Sequence, residues 1–509
     1  MGKKRWLVLA LLLGIGCNTA WAGEKEQLET LHQTTLNLIK MLVQRGTLSQ
    51  SDADQLILEA EKSAAATVAA QTKTDANVVR VPYVPEVVRR EIKEQIKQEV
   101  LAQAKGERWG EPGALPSWLS RISWEGDFRM RYQRDKFPAG NIPPNLYNPV
   151  GLNLISNTSE DRNRLRLQAR LGMKAKISDD IIAALRITTG NLTDPTSTNQ
   201  TLGNGFNKYS LVLDRAYLQA DPYYWLTIAG GKIPNPWFGT DLVWDSDLNF
   251  EGVAATLKPR FTDQWTGFLT AGAFPVQEIE RSDTVAASNK WLYGYQFGTQ
   301  WTSLNSSTVK VGLGLYDYHN VEGIPNSSLG SHVNDKTAPQ AMQKGNSLMF
   351  VNFPGDPNLY GLASKFRELN LTAQLDLATF DPVHVILTGD YVKNIGFDHD
   401  EILQRSAQNV EAKTKGYQAK LTLGMPKIQQ RGEWQAYLGY KYLERDAVLD
   451  VMTDSDFHLG GTNAKGYIVG GSYGIDKNTS LGLRLLSANQ IDGPPLAIDV
   501  LQFDLNAKF

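Results

Sequence analysis

From Ile122 to the C-terminal Phe509, apolar and polar residues alternate with a period of two. In the stretch 164–177, Leu165, Leu167, Ala169, Leu171, Met173, Ala175 and Ile177 form one face, and Arg164, Arg166, Gln168, Arg170, Gly172, Lys174 and Lys176 form the other. Leu369 to Leu377, Tyr417 to Leu423 and Leu501 to Phe509 repeat the pattern. A strand that alternates in this way has one face suited to oil and one suited to water. Sixteen such segments begin near residues 122, 163, 181, 210, 224, 250, 265, 290, 308, 366, 383, 416, 432, 466, 479 and 499. Connections after the even-numbered segments are short, as in Ser178-Asp179-Asp180 and Asp476-Lys477-Asn478, and those after the odd-numbered ones are mostly long, as in Gln133 to Arg162 and His319 to Lys365. An even strand count with short and long connections alternating puts every tight turn at one rim. The pattern predicts an all-β fold, a 16-stranded antiparallel transmembrane β-barrel over residues 118–509.

Lipid offers backbone groups no hydrogen-bond partner, so a spanning sheet must pair its own edges and close. A charge on the lipid face costs about 2–4 kcal/mol at the midplane, which sends the charged face of each strand to the lumen. On that reading Arg129, Arg131, Arg164, Arg166, Arg170, Lys174, Arg186 and Lys232 are the basic, pore-lining residues. Aromatics near strand ends (Trp124, Tyr132, Tyr217, Tyr224, Trp265, Trp434, Tyr440 and Tyr442 among them) suit interfacial girdles.

The N-terminal region has a different period. Lys3, Lys4 and Arg5 precede the apolar run Leu7–Leu13, and Ala20-Trp21-Ala22 supplies a small-residue cleavage site, so residues 1–22 read as a secretory signal peptide. Cys17 raises a lipoprotein alternative, but Gly14 stands where such a site usually has leucine. Residues 23–117 are predicted to form a helical periplasmic segment. Leu28, Leu31, Thr35, Leu38 and Leu42 mark the seam of a short coiled coil, and a charged helix is expected over 86–104.

Composition narrows the function. The chain has 509 residues, one cysteine and six histidines, with a net charge of −2; removing the three N-terminal cations takes that to −5. A single cysteine excludes a disulfide scaffold and a thiolate metal centre. A near-neutral chain carries no electrostatic footprint for nucleic acid. No GxSxG or HExxH motif occurs, so neither an enzyme nor a cofactor is expected. Asp245-Ser246-Asp247-Leu248-Asn249 loosely resembles a calcium loop, but Phe250 stands where an EF-hand needs glycine. The group Asp398-His399-Asp400-Glu401 reads as a solvated acidic loop, and Gly203-Asn204-Gly205 as a turn.

The run Arg162-Asn163-Arg164-Leu165-Arg166-Leu167-Gln168-Ala169-Arg170-Leu171-Gly172 resembles the arginine-rich early strand of the "putative porin" family of Gram-negative bacteria. So do Leu213-Asp214-Arg215-Ala216-Tyr217-Leu218, Ala229-Gly230-Gly231-Lys232 and the stretch Val243 to Ala254. Phe509 is similar to the C-terminal aromatic read by the barrel-assembly machinery. The resemblance implies an outer-membrane diffusion channel for small hydrophilic solutes or ions, assembled as a homotrimer, in which one external loop folds inward. In this chain that loop is Pro234 to Asn249, and Asp241, Asp245, Asp247 and Glu251 are its constriction acids. A basic wall facing acids predicts a transverse field and a modest anion preference. The alternative is a structural anchor whose helical segment tethers the barrel to peptidoglycan or a periplasmic partner.

Overall fold

The structure is a computed structural model, and it describes residues 93, 94, 96–101, 121–327, 330–352 and 357–509. Residues 93, 94 and 96–101 are helical and exposed. The signal peptide and the coiled-coil seam lie outside the described residues. Contacts divide the chain into units 1–110 and 111–509.

The second unit is the barrel. Its strands are β1 (Ile122–Lys136), β2 (Arg162–Lys176), β3 (Ile181–Thr189), β4 (Leu211–Tyr223), β5 (Leu226–Pro234), β6 (Asn249–Leu257), β7 (Trp265–Gln277) and β8 (Lys290–Thr302). They continue as β9 (Thr308–His319), β10 (Arg367–Phe380), β11 (Val383–Asn394), β12 (Lys415–Gly424), β13 (Trp434–Leu443), β14 (Ala464–Gly474), β15 (Thr479–Gln490) and β16 (Ala497–Lys508). Each pairs antiparallel with the next, and β1 pairs with β16 from Asp127↔Lys508 to Lys136↔Asp499, so the sheet closes. The backbone groups that an open sheet would leave facing hydrocarbon are thereby bonded.

The apolar face points outward. Leu165, Leu171, Leu218, Leu371, Leu387, Leu438, Leu483 and Leu505 are exposed on the wall, whereas Gln133, Gln168, Thr372 and Gln502 on the opposite face are buried in the interior. Outward aromatics form two belts. Trp124, Tyr224, Trp265 and Trp434 lie near the short-turn rim, and Tyr132, Tyr391, Tyr417 and Tyr467 lie near the long-loop rim. Tyr217 does not join them. It pairs with the buried Ala184 and packs against an apolar cluster inside the barrel. A register shift between Arg186 and Ile187 accounts for the local pattern, because the extra residue puts Asp214 and Arg215 on the inner side together.

Candidate functional site: the inner wall and its inward loops

The interior is divided by the loop between β5 and β6. Trp237, Leu242, Val243, Trp244 and Leu248 from this loop are buried with Phe250, Phe274 and Tyr316 of the wall. Trp244 meets Tyr316 at 4.9 Å and Phe250 at 5.0 Å between ring centroids. Trp237 sits so close to Gly294 of β8 that a Cβ there would collide with the indole, so the wall must carry glycine at that point. Polar bonds fix the rest of the loop. The Phe238 amide donates to Oε1 of Gln296 (2.8 Å), and the Thr240 amide (3.1 Å) and hydroxyl (2.7 Å) donate to Asp390 of β11.

The loop acids reach separate parts of the interior. Asp241 pairs with Lys441 of β13 at 3.1 Å, and Asp247 pairs with Arg170 of β2 at 2.9 Å. Asp245 accepts the backbone N–H groups of Asp247 and Ser455, both at 2.8 Å. Burial, with the Asp454 carboxylate nearby, pushes Asp245 well above the usual carboxylate range.

Sequence reasoning missed a second inward segment, the loop between β13 and β14. Its Asp454 pairs with Lys441 (3.2 Å) and Arg484 (3.3 Å), and its Asp456 pairs with Arg131 (3.0 Å) and Arg484 (3.2 Å). Burial alone would raise Asp456, but the guanidiniums of Arg131 and Arg484 hold it well below its ordinary value. The two loops clasp each other where the Asp245 amide donates to the Met452 carbonyl at 2.8 Å. The available signal was the run of acids at 446, 450, 454 and 456 among the aliphatics Ala447, Val448, Leu449 and Val451.

The predicted basic residues divide into three groups. Arg131, Arg164, Arg170, Lys174 and Arg186 face inward and are ion-paired, to Asp504 and Asp456, Asp135, Asp127 and Asp247, Glu125, and Asp214 respectively. Arg129 and Arg166 face inward and bond only neutral groups. Arg129 donates to Asn199 (2.7 Å), and Arg166 donates to Gln133 (3.1 Å) and Ser197 (3.4 Å). Among the described residues neither has a carboxylate in ion-pair contact, and each has a buried Nε without a partner.

Lys232 and Glu251 form the third group and correct the sequence reading. Lys232 pairs in register with Ala216, next to the inward Tyr217, and Glu251 is two residues from the exposed Val253. Both side chains therefore lie on the outer side of the wall near the loop rim, bonded to each other at 2.6 Å. The glycine pair before Lys232 has no apolar rhythm from which its face could be read.

Two cavities follow the arginine-bearing strands. One of about 180 Å³ toward the loop rim is lined by Arg162, Arg164, Arg166, Gln133, Asp135 and Asp456. Another of about 600 Å³ toward the turn rim is lined by Arg129, Arg170, Lys427, Lys477, Lys508 and Asp127. Among the described residues no group of three or more His, Cys, Asp or Glu side chains is placed to hold a metal. Asp398 caps a short helix, His399–Ser406, by accepting the amides of Asp400 and Glu401.

The family described as "Putative porin" matches residues 32–509. The chain belongs to this family. The barrel is therefore that of an outer-membrane porin. Among solved structures the porin is similar to OprB of Pseudomonas putida (11% identity, TM-score 0.44, covering 77% of this chain and 95% of that one). It is also similar to OmpF of Salmonella typhi in complex with daunomycin (10%, 0.41, 76% and 97%) and to the outer-membrane channel DcaP of Acinetobacter baumannii (10%, 0.40, 76% and 97%). No curated relative matches this porin.

Proposed function

We propose that this porin is a water-filled channel for passive diffusion of small hydrophilic solutes or ions, with a modest preference for anions, working as a homotrimer after loss of its signal peptide. No bond is made or broken. A solute crosses under its own gradient, filtered by the width left beside the inward loops and by the charge of the wall. The observation that carries the sign of selectivity is an imbalance in partners. Asp241, Asp247, Asp454 and Asp456, brought inward by the loops, are each tied to a lysine or arginine, while Arg129 and Arg166 have only amide and hydroxyl partners. A paired acid presents little field to a passing ion, whereas an unpaired guanidinium in a narrow, low-dielectric passage attracts anions.

The test is the R129Q/R166Q variant in planar bilayers under a salt gradient. A reversal potential shifted toward the cation side, with the channel still open, is the expected result. An unchanged reversal potential overturns the assignment of these two residues.

A further inference from the structure

The outer surface carries a cationic patch that diffusion through the lumen does not use. On the loop-rim side of β11, β12 and β14, the outward residues just beyond Tyr391, Tyr417 and Tyr467 are Lys393, Lys415 and Lys465. All three are exposed. Lys393 and Lys415 are directly opposite in the ladder. Like charges so placed repel, and among the described residues no carboxylate is ion-paired to any of the three. Two of the nearby acids are matched by other cations. Asp317 holds Arg367 at 3.0 Å, and Glu411 holds Lys413 at 2.9 Å. Glu444 sits beside Lys415 and accepts its amide (2.7 Å) and the Tyr442 hydroxyl (3.2 Å), both neutral donors, so three lysines face one carboxylate and the patch keeps an excess of positive charge.

Beneath the lysines lies a continuous tyrosine surface. Tyr417 stacks on Tyr442 at 5.0 Å, and Tyr440 meets Tyr467 edge-on at 5.0 Å. Tyrosine belts settle at the boundary between acyl chains and headgroups. Two residues further along a strand is about 7 Å, which puts the ammonium groups at the depth of the headgroup phosphates. A phosphate there would relieve the Lys393–Lys415 repulsion, and the tyrosine faces would receive the attached acyl chains.

We infer that this patch, centred on Lys393 and Lys415 with Lys465 beside them, is a docking site for a lipid of the external leaflet whose headgroup carries phosphate. The aromatic floor directly below the charges distinguishes it from a site for free phosphate. Its occupant packs on the outside of the barrel, and its binding is independent of ion selectivity.

The test is native mass spectrometry of the detergent-solubilised porin with bisphosphorylated lipid A, dephosphorylated lipid A or inorganic phosphate. Bisphosphorylated lipid A is expected to be retained, and K393Q/K415Q to retain about tenfold less. K393R/K415R and K208Q, a loop lysine far along the chain from the patch, should retain the wild-type amount. Equal retention by K393Q/K415Q overturns the site, as does equal retention of the dephosphorylated lipid. Displacement of the lipid by an equal concentration of inorganic phosphate overturns the lipid assignment. A heat-dependent gel shift like that of the wild type shows that K393Q/K415Q is folded, and K393R/K415R reports on the site even if the glutamine variant is not.

Discussion

Phe509 lies against Gly126 at the seam of the barrel, and the two residues exchange backbone hydrogen bonds of 3.0 and 3.1 Å. The phenyl ring occupies the space that a Cβ on Gly126 would need. The last residue of the chain thus completes the first strand's ladder and covers the gap that glycine leaves on its outer face.

That contact predicts a steric cost. The G126V substitution displaces the ring, and because Phe509 is 71% exposed and its ring can swing outward, the folded barrel is expected to lose only about 0.5–1 kcal/mol of stability. Denaturant titration of the heat-modifiable band measures it; F509A should remove most of the sensitivity to valine at 126.

Lys441 is 1% exposed and holds acids from both inward loops. Replacing it with methionine leaves Asp241 and Asp454 to Arg484 alone. Removing one partner of a buried ion pair costs about 3–5 kcal/mol, and most of that cost falls on loop docking. The K441M channel should show larger, noisier conductance steps and a reversal potential moved toward cations.

The two sides of the wall give a matched pair of variants. D247N removes a lumen charge and leaves Arg170 with Asp127 as its remaining ion-pair partner, so it should increase anion preference. E251Q changes a charge on the outer face and should leave the reversal potential at its wild-type value. Bilayer recording of both checks the placement directly.

The loop between β13 and β14 should respond to pH. Burial raises Asp446 to about 6 and Asp450 to about 7. An acid raised in the packed loop keeps its proton where the released loop has lost it. Packing is therefore favoured as pH falls from about 7 toward 4 and weakened as pH rises through the same window. Two groups act in the opposite direction: Lys344, lowered to about 7 by burial, does so above that value, and His458 of the same loop, held well below its ordinary value by burial, does so below about 6.5, where two raised acids outweigh one histidine. Hydrogen-exchange protection of residues 444–463, taken relative to the intrinsic rate at each pH, should be greater at pH 5 than at pH 7, and D450N should flatten the difference.

Strand positions were legible because lipid on one side and water on the other impose a strict rhythm. The segments read at 181, 265, 290, 308, 383 and 479 begin at the observed first residues of β3, β7, β8, β9, β11 and β15. The face of a residue was legible only where that rhythm is strong, as at Arg164 and Arg170 among leucines. It failed at Lys232 behind two glycines, and at Tyr217 beyond a bulge. Loop acids such as Asp454 and Asp456 follow no period, so their reach to Arg131, Lys441 and Arg484 appears only once the chain is folded.

Reversal potential across a bilayer holding the wild-type porin, in a gradient of potassium chloride, tests the channel and its selectivity together, because the two ions have nearly equal mobility in water. Stepwise conductance is expected, with a potential of the sign that marks chloride as the more permeant ion. A potential of the opposite sign, or a bilayer that stays closed with correctly folded protein inserted, contradicts that expectation.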